Sequence, residues 1–162
     1  MTTDFAKAQS TNIQLIPVID VSGVISGEDI QRVATAIHAA AIDHGFFYIS
    51  DHGIPPHLMD LAFAVSKAFF DIPETDKNTV AVDTHQRGWM VQGMSRLQGA
   101  KTHDLKEVFL WGRETPADDP DVIAGKSLCA VNKWPATFPR LNADLIPYYD
   151  AVCTADHRGG GR

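Results

Sequence analysis

The chain has 162 residues, 44% hydrophobic and 21% charged, the balance of a soluble globular domain large enough to bury a core. A formal net charge of -6, with no cluster of Lys or Arg, argues against nucleic acid and anionic membranes as partners and leaves small molecules or proteins. Two cysteines, Cys129 and Cys153, are too few for a disulfide framework, and Met1-Thr2-Thr3-Asp4 does not open a leader sequence, so a soluble cytoplasmic protein is expected.

Residues 1–14 are polar and without period, which predicts a flexible N-terminal arm. Ile16-Pro17-Val18-Ile19-Asp20 reads as a short strand whose proline must lie at its start or on an edge, where no ladder N–H is needed. Ser26 and Asp29 have the spacing of a capping box, and Ile30, Val33, Ala34, Ile37 and Ala41 then recur at helical spacing to about His44. Gly45 suits a left-handed helix cap, and Phe46-Phe47-Tyr48-Ile49 suits a covered strand. Pro55 and Pro56 open a second helix with Leu58, Leu61, Ala62, Val65 and Phe69 on one face, ended by Pro73; the two helices are expected to cover the sheet.

Beyond Glu74 the period weakens, and the glycines around Arg87-Gly88-Trp89 mark a loop-rich segment. Glu107-Val108-Phe109-Leu110-Trp111 is a strand candidate, followed by an acidic loop from Pro116 to Asp121 that should be solvated. Leu141, Leu145, Tyr148, Tyr149 and Val152 keep an approximate helical period that Pro147 interrupts. Residues 156–162 form a glycine-rich tail in which that helix should end.

Signatures of common chemistries fail on specific residues. Gly125-Lys126-Ser127 resembles the end of a phosphate-binding loop, but Pro120 stands where the first glycine is needed. There is no G-x-G-x-x-G. Two imidazoles and a carboxylate on one face can hold Fe(II), yet the seven histidines supply no H-x-D or H-x-E pair. Asp83-Thr84-His85 has the reverse order and reads as a solvated loop, while His44 and His52, flanking the central strand, suit capping or hydrogen bonding.

The blocks Ile16–Asp20, His44–Tyr48, His52–Pro55, Phe69-Phe70, Pro73, Lys77, Gly88-Trp89 and Asp104–Phe109, in that order, resemble the N-terminal region of the isopenicillin N synthase-like family of non-haem Fe(II), mostly 2-oxoglutarate-dependent, dioxygenases. The resemblance runs from about Ile16 to Val152. It implies an α+β fold, with helices covering short strands that would normally join a double-stranded β-helix (jelly-roll) core, most of which is missing here. In that family the H-x-D pair, a distant histidine and the arginine of an R-x-S pair lie further along, and this chain has neither motif. The resemblance therefore implies no metal, cofactor or catalytic residue in this chain, with Fe(II) and 2-oxoglutarate belonging to a full-length member. It also implies Arg87, Trp89, Lys106, Glu107 and Phe109 as residues near the substrate entrance, set against plain core packing for Trp89 and Phe109 and a solvated strand face for Lys106 and Glu107.

Two functional expectations follow. One is the N-terminal scaffold and substrate-entrance portion of an oxidoreductase, inactive alone, from a truncated or frame-shifted gene; the other is a naturally short, non-catalytic module that binds through an exposed sheet edge. Truncation is favoured because strands near Ile16 and Phe46 would otherwise lack the larger sheet that completes their pairing. On the truncated reading the open apolar strand edges predict self-association, and a small-molecule substrate is expected only in a complete enzyme.

Overall fold

The computed structural model describes residues 16–96, 99 and 101–159, without the side chains of 156–159. The arm at 1–14 lies outside the described residues, as do the last three residues of the tail. The chain divides into two compact units, one running to Ile54 and resuming at Val152, the other spanning Pro55–Ala151.

The first unit is a strand, helix, strand arrangement. Strand β1 (Val18–Asp20) pairs in parallel with β2 (Tyr48–Ser50), with Val18 opposite Tyr48 and Asp20 opposite Ser50. Parallel neighbours need a crossover of a dozen or more residues. It is supplied by the short helix α1 (Ser22–Ser26) and the longer α2 (Ile30–Asp43). Pro17 stands just before β1, and its carbonyl accepts the Tyr48 N–H, the strand-start role open to a proline. Gly45 takes φ 78°, and its N–H caps the carbonyls of Ala40 and Ala41.

The expected capping box does not form. Ser26 closes α1, its hydroxyl on the Gly23 carbonyl, while Asp29 precedes α2 without a side-chain cap bond and pairs with Arg32 at 2.6 Å instead. Gly27 in the left-handed conformation, Glu28 and Asp29 separate the helices, so Ser26 belongs to the earlier one. Ile19, Val21, Val33 and Ala40 form the core of this unit, with Phe47 packed against it. The strand from Phe46 is not a covered one: Phe46, Tyr48 and Ile49 are all exposed. Within the two strands only Ile19 is buried, and Phe47, just before β2, is half-buried against the same cluster.

In the second unit, Pro56 opens α3 (Pro56–Phe70), which buries Ala62, Val65 and Phe69 as its period requires. Helix α4 (Glu74–Asn78) follows Pro73. A strand then appears where the sequence indicated loop: β3 (Gly88–Met90) pairs antiparallel with β4 (Val108–Leu110), Trp89 opposite Phe109. Gly88 is required there, because at φ 110° a Cβ would lie 2.2 Å from the Val80 carbonyl oxygen. The two predicted helices thus do not share one sheet; α2 packs on β1, while α3 contributes to the second unit's core.

The acidic stretch is not all loop. Asp119 accepts the Asp121 N–H at 2.9 Å and starts α5 (Pro120–Ile123). Helix α6 (Arg140–Gly159) buries Leu141 and Leu145, carries Pro147 inside it and reaches the first glycine of the tail. The core of Ala62, Val65, Phe69, Val80, Trp89, Leu141 and Leu145 is continued by an aromatic series, Phe69, Phe109, Trp134, Trp111 and Tyr149, with ring centroids 4.9–5.7 Å apart.

Candidate functional site

The second unit holds a polar pocket of about 270 Å³, lined by Glu74 and Lys77 of α4, Trp89 and Gln92 at the β3 end, and Leu105 and Glu107 leading into β4. Its organising atom is Glu107 Oε2, which accepts the Trp89 indole N–H at 2.7 Å and the Lys77 ammonium at 2.9 Å. Lys77 also donates to the Phe70 carbonyl at 2.9 Å and lies 5.3 Å from the centre of the Trp89 ring. Lys77 is 7% exposed and Trp89 3%, so the carboxylate satisfies two buried donors at once. Pro73 and the left-handed turn at Gly88 fix the two elements that bring these groups together.

The other residues singled out from sequence go elsewhere. Phe109 packs on Phe69 and Trp134 in the core. Lys106 pairs with Asp104 at 2.9 Å, and Asp104 also accepts the Ser95 hydroxyl at 3.0 Å. Hydrogen bonds from Lys106 and then Ser95 hold the Asp104 carboxyl below the usual carboxylate range. The Arg87 guanidinium donates to the Leu128 carbonyl at 2.7 Å. Of the five, Trp89 and Glu107 share the pocket. Lys77, Glu74 and Gln92 complete it; nothing in Glu-Thr-Asp-Lys-Asn marks its lysine as buried.

Asp83 and His85 are engaged in a local turn. Asp83 Oδ1 accepts the backbone N–H groups of His85 at 3.0 Å and Arg87 at 3.2 Å. Desolvation works against the Asp83 charge, but the Arg87 and His85 amides, with Lys133 and His85 adding Coulombic support, hold its carboxyl below the usual range. His52 Nδ1 accepts the Ile54 N–H at 3.1 Å, the turn role expected of it. Among the described residues no three His, Cys, Asp or Glu side chains converge in a way that could hold a metal ion, and no helix is long and apolar enough to cross a membrane.

The fold and the pocket define an α+β module with short strands and, among the described residues, no closed barrel. The family described as non-haem dioxygenase in morphine synthesis N-terminal matches residues 16–137, and the chain belongs to it. The resemblance carried by the blocks from Ile16 to Phe109 is thereby borne out.

Among curated relatives, the 2-oxoglutarate-dependent dioxygenase tropC of Talaromyces stipitatus is 34% identical over 130 residues, 75% of this chain and 39% of the relative. The 2-oxoglutarate-dependent dioxygenase caaD of Aspergillus niger is 30% identical over 150 residues, 88% of this chain and 45% of the relative. Among solved structures, a 2OG-Fe(II) oxygenase family protein from Caulobacter crescentus superposes with a TM-score of 0.70 at 27% identity, covering 90% of this chain and 46% of that one. A full-length Neurospora crassa protein, solved in complex with alpha-KG and thymine, superposes with a TM-score of 0.63 at 26% identity, covering 88% and 45%. The chain spans less than half the length of each of these proteins.

Proposed function

We propose that this chain is the N-terminal scaffold and substrate-entrance portion of an Fe(II)- and 2-oxoglutarate-dependent oxygenase, and that it does not turn over alone. The observation that carries the reading is the family match over residues 16–137, in a chain covering less than half of relatives named as 2-oxoglutarate-dependent dioxygenases. The residues present do not fit the iron or the cosubstrate: the sequence has no H-x-D and no R-x-S, and no three ligating side chains converge among the described residues. No chemical step is assigned to this chain.

Its own residues have a positioning role in this reading. Glu107 fixes the indole of Trp89 and the ammonium of Lys77 on one wall of a polar pocket, which would offer a small molecule a pre-set carboxylate rather than a mobile one. Arg87, Lys106 and Phe109 make their contacts away from this pocket, so in this reading the entrance role falls to Trp89 and Glu107. The test is succinate release from 2-oxoglutarate, read by mass spectrometry with the purified chain, Fe(II) and ascorbate. Succinate at the level of the no-protein control is expected; iron-dependent and protein-dependent succinate would sink the reading.

A second reading, a non-catalytic module that pairs through a sheet edge, draws on one observation. Val18, Phe46, Tyr48 and Ile49 are all exposed on or beside a two-stranded sheet. Light scattering with thermal melting separates the two: a monodisperse monomer with a sharp, high-temperature transition supports the independent module, and association or a marginal transition supports the scaffold.

A further inference from the structure

The segment between β4 and α6 leaves the body of the second unit through a neck and returns through it. Asn132 closes that neck: its Oδ1 accepts the Gly112 N–H at 2.9 Å, and its Nδ2 donates to the Gly112 carbonyl at 2.7 Å and to Glu114 Oε1 at 2.6 Å. Trp134 donates to the same Glu114 oxygen at 2.8 Å. Asn132 is buried, so the side chain does for Gly112 what a neighbouring strand would do. Between these anchors none of residues 115–131 is buried. Apart from the Thr115 hydroxyl, which donates to the Arg113 carbonyl at the neck, the hydrogen bonds of this stretch are internal, as in α5, and so is the Lys126–Asp121 ion pair at 2.6 Å. A hydrogen bond reaches from it to a residue beyond the neck, from Arg87 Nη2 to the Leu128 carbonyl.

That bond is made under unfavourable conditions. Leu128 takes φ 64° and Gln86, whose carbonyl accepts Arg87 Nη1 at 3.2 Å, takes φ 58°, both in the region that disfavours residues with a Cβ. The Arg87 Nε is buried without a hydrogen-bond partner. The guanidinium lies close under Gly112, where a Cβ would come within 3.1 Å of Nη2. The neck is well satisfied, while the contact that holds the segment down is strained and leaves a donor unmet. Loops of this kind, with ends held close and little burial, open as local units.

We propose that residues 115–131 form a hinged lobe, anchored at the Asn132–Gly112 neck and latched by the Arg87 guanidinium on the Leu128 carbonyl, which opens without unfolding of the core. Opening relieves the left-handed turn at Leu128 and lets water reach the Arg87 Nε. The proposal stands apart from the assignment of the chain to an oxygenase.

The test is limited trypsin cleavage after the exposed Lys126, together with amide hydrogen exchange, on the wild-type chain and on Arg87→Met, which keeps an apolar stem and the backbone bonds of the Asp83 turn. In Arg87→Met, cleavage and the exchange of the Gly125, Lys126 and Cys129 amides are expected to rise at least fivefold. The Val82 and Trp89 amides should keep their protection. Rates within twofold of wild type, or a rise shared equally by the Val82 and Trp89 amides, would overturn the latch. Leu128→Gly keeps the Arg87 bond and removes the strain, so it should slow cleavage at Lys126 several-fold; unchanged or faster cleavage would count equally against the proposal.

Discussion

Replacing Glu107 by alanine removes the acceptor of two buried donors and should be among the most damaging single changes in the second unit. Lys77, whose side chain is 9% exposed, would keep only the Phe70 carbonyl, and the Trp89 indole N–H would lose its partner in the core. Breaking a buried ion pair from one side costs about 3–5 kcal/mol, and an unmet buried N–H about 1–3 kcal/mol. The Glu107 side chain is 30% exposed on an open pocket, so water can reach part of the vacated space and soften both penalties. A loss of about 3 kcal/mol results, a large share of a domain's usual margin of about 5–15 kcal/mol.

Glu107→Gln retains one oxygen for the indole but not the charge for Lys77, and should cost about 1–2 kcal/mol. Urea unfolding followed by tryptophan fluorescence is the assay, because Trp89, Trp111 and Trp134 all lie in the second unit. A loss below about 1 kcal/mol for Glu107→Ala, at unchanged urea dependence, would show that Lys77 and Trp89 are served by solvent and refute the reasoning.

Gly88→Ala places a Cβ 2.2 Å from the Val80 carbonyl at φ 110°; a loss of about 3 kcal/mol or more is expected, and a cooperative melt within about 1 kcal/mol of wild type would contradict the fit. Asp83 has a folded-state pKa below its unfolded value, so its contribution is present above the ordinary carboxylate range and is lost as pH falls through the folded value. The stability gap between wild type and Asp83→Asn, measured by urea unfolding, should therefore be wider at neutral pH than near pH ~3, and a constant gap would speak against the turn. Phe46→Lys with Tyr48→Lys, both exposed, should change stability by no more than about 0.5 kcal/mol apiece while reducing self-association in light scattering. Undiminished association would place the sticky surface elsewhere.

What was legible in the sequence had a period or a breaker. The span of α2, the apolar stripe of α3, the strand at Val108–Leu110, the cap at Gly45 and the prolines before β1 and α3 all carry local signals, and each appears within a few residues of its expected place; of the α2 stripe, however, Val33 is buried and Ile37 half-buried while Ile30, Ala34 and Ala41 are exposed. The strand at Gly88–Met90 did not: it has three residues and is held by the Val80 and Val82 backbone and by β4, contacts no local pattern encodes. The same reason divides the candidate residues. Trp89 and Glu107 are 18 positions apart, Lys77 and Glu107 30, and Arg87 and Leu128 41, so spacing alone could not pair them. The family blocks named Lys77 and Glu107 separately without showing that they meet.

That pairing alters what a functional assay on these residues would mean. Glu107 anchors Trp89 and Lys77 and also lines the pocket, so a loss of activity on removing it from a complete enzyme would not by itself identify a substrate contact. Its Oε2 is already taken by two donors, and any molecule that drew the carboxylate away would have to replace both bonds in a buried setting. Glu107 therefore suits a fixed wall better than a mobile clamp. The more exposed side chains at the same rim are Glu74 and Leu105, while buried Lys77 and Trp89 and half-buried Glu107 set the shape behind them.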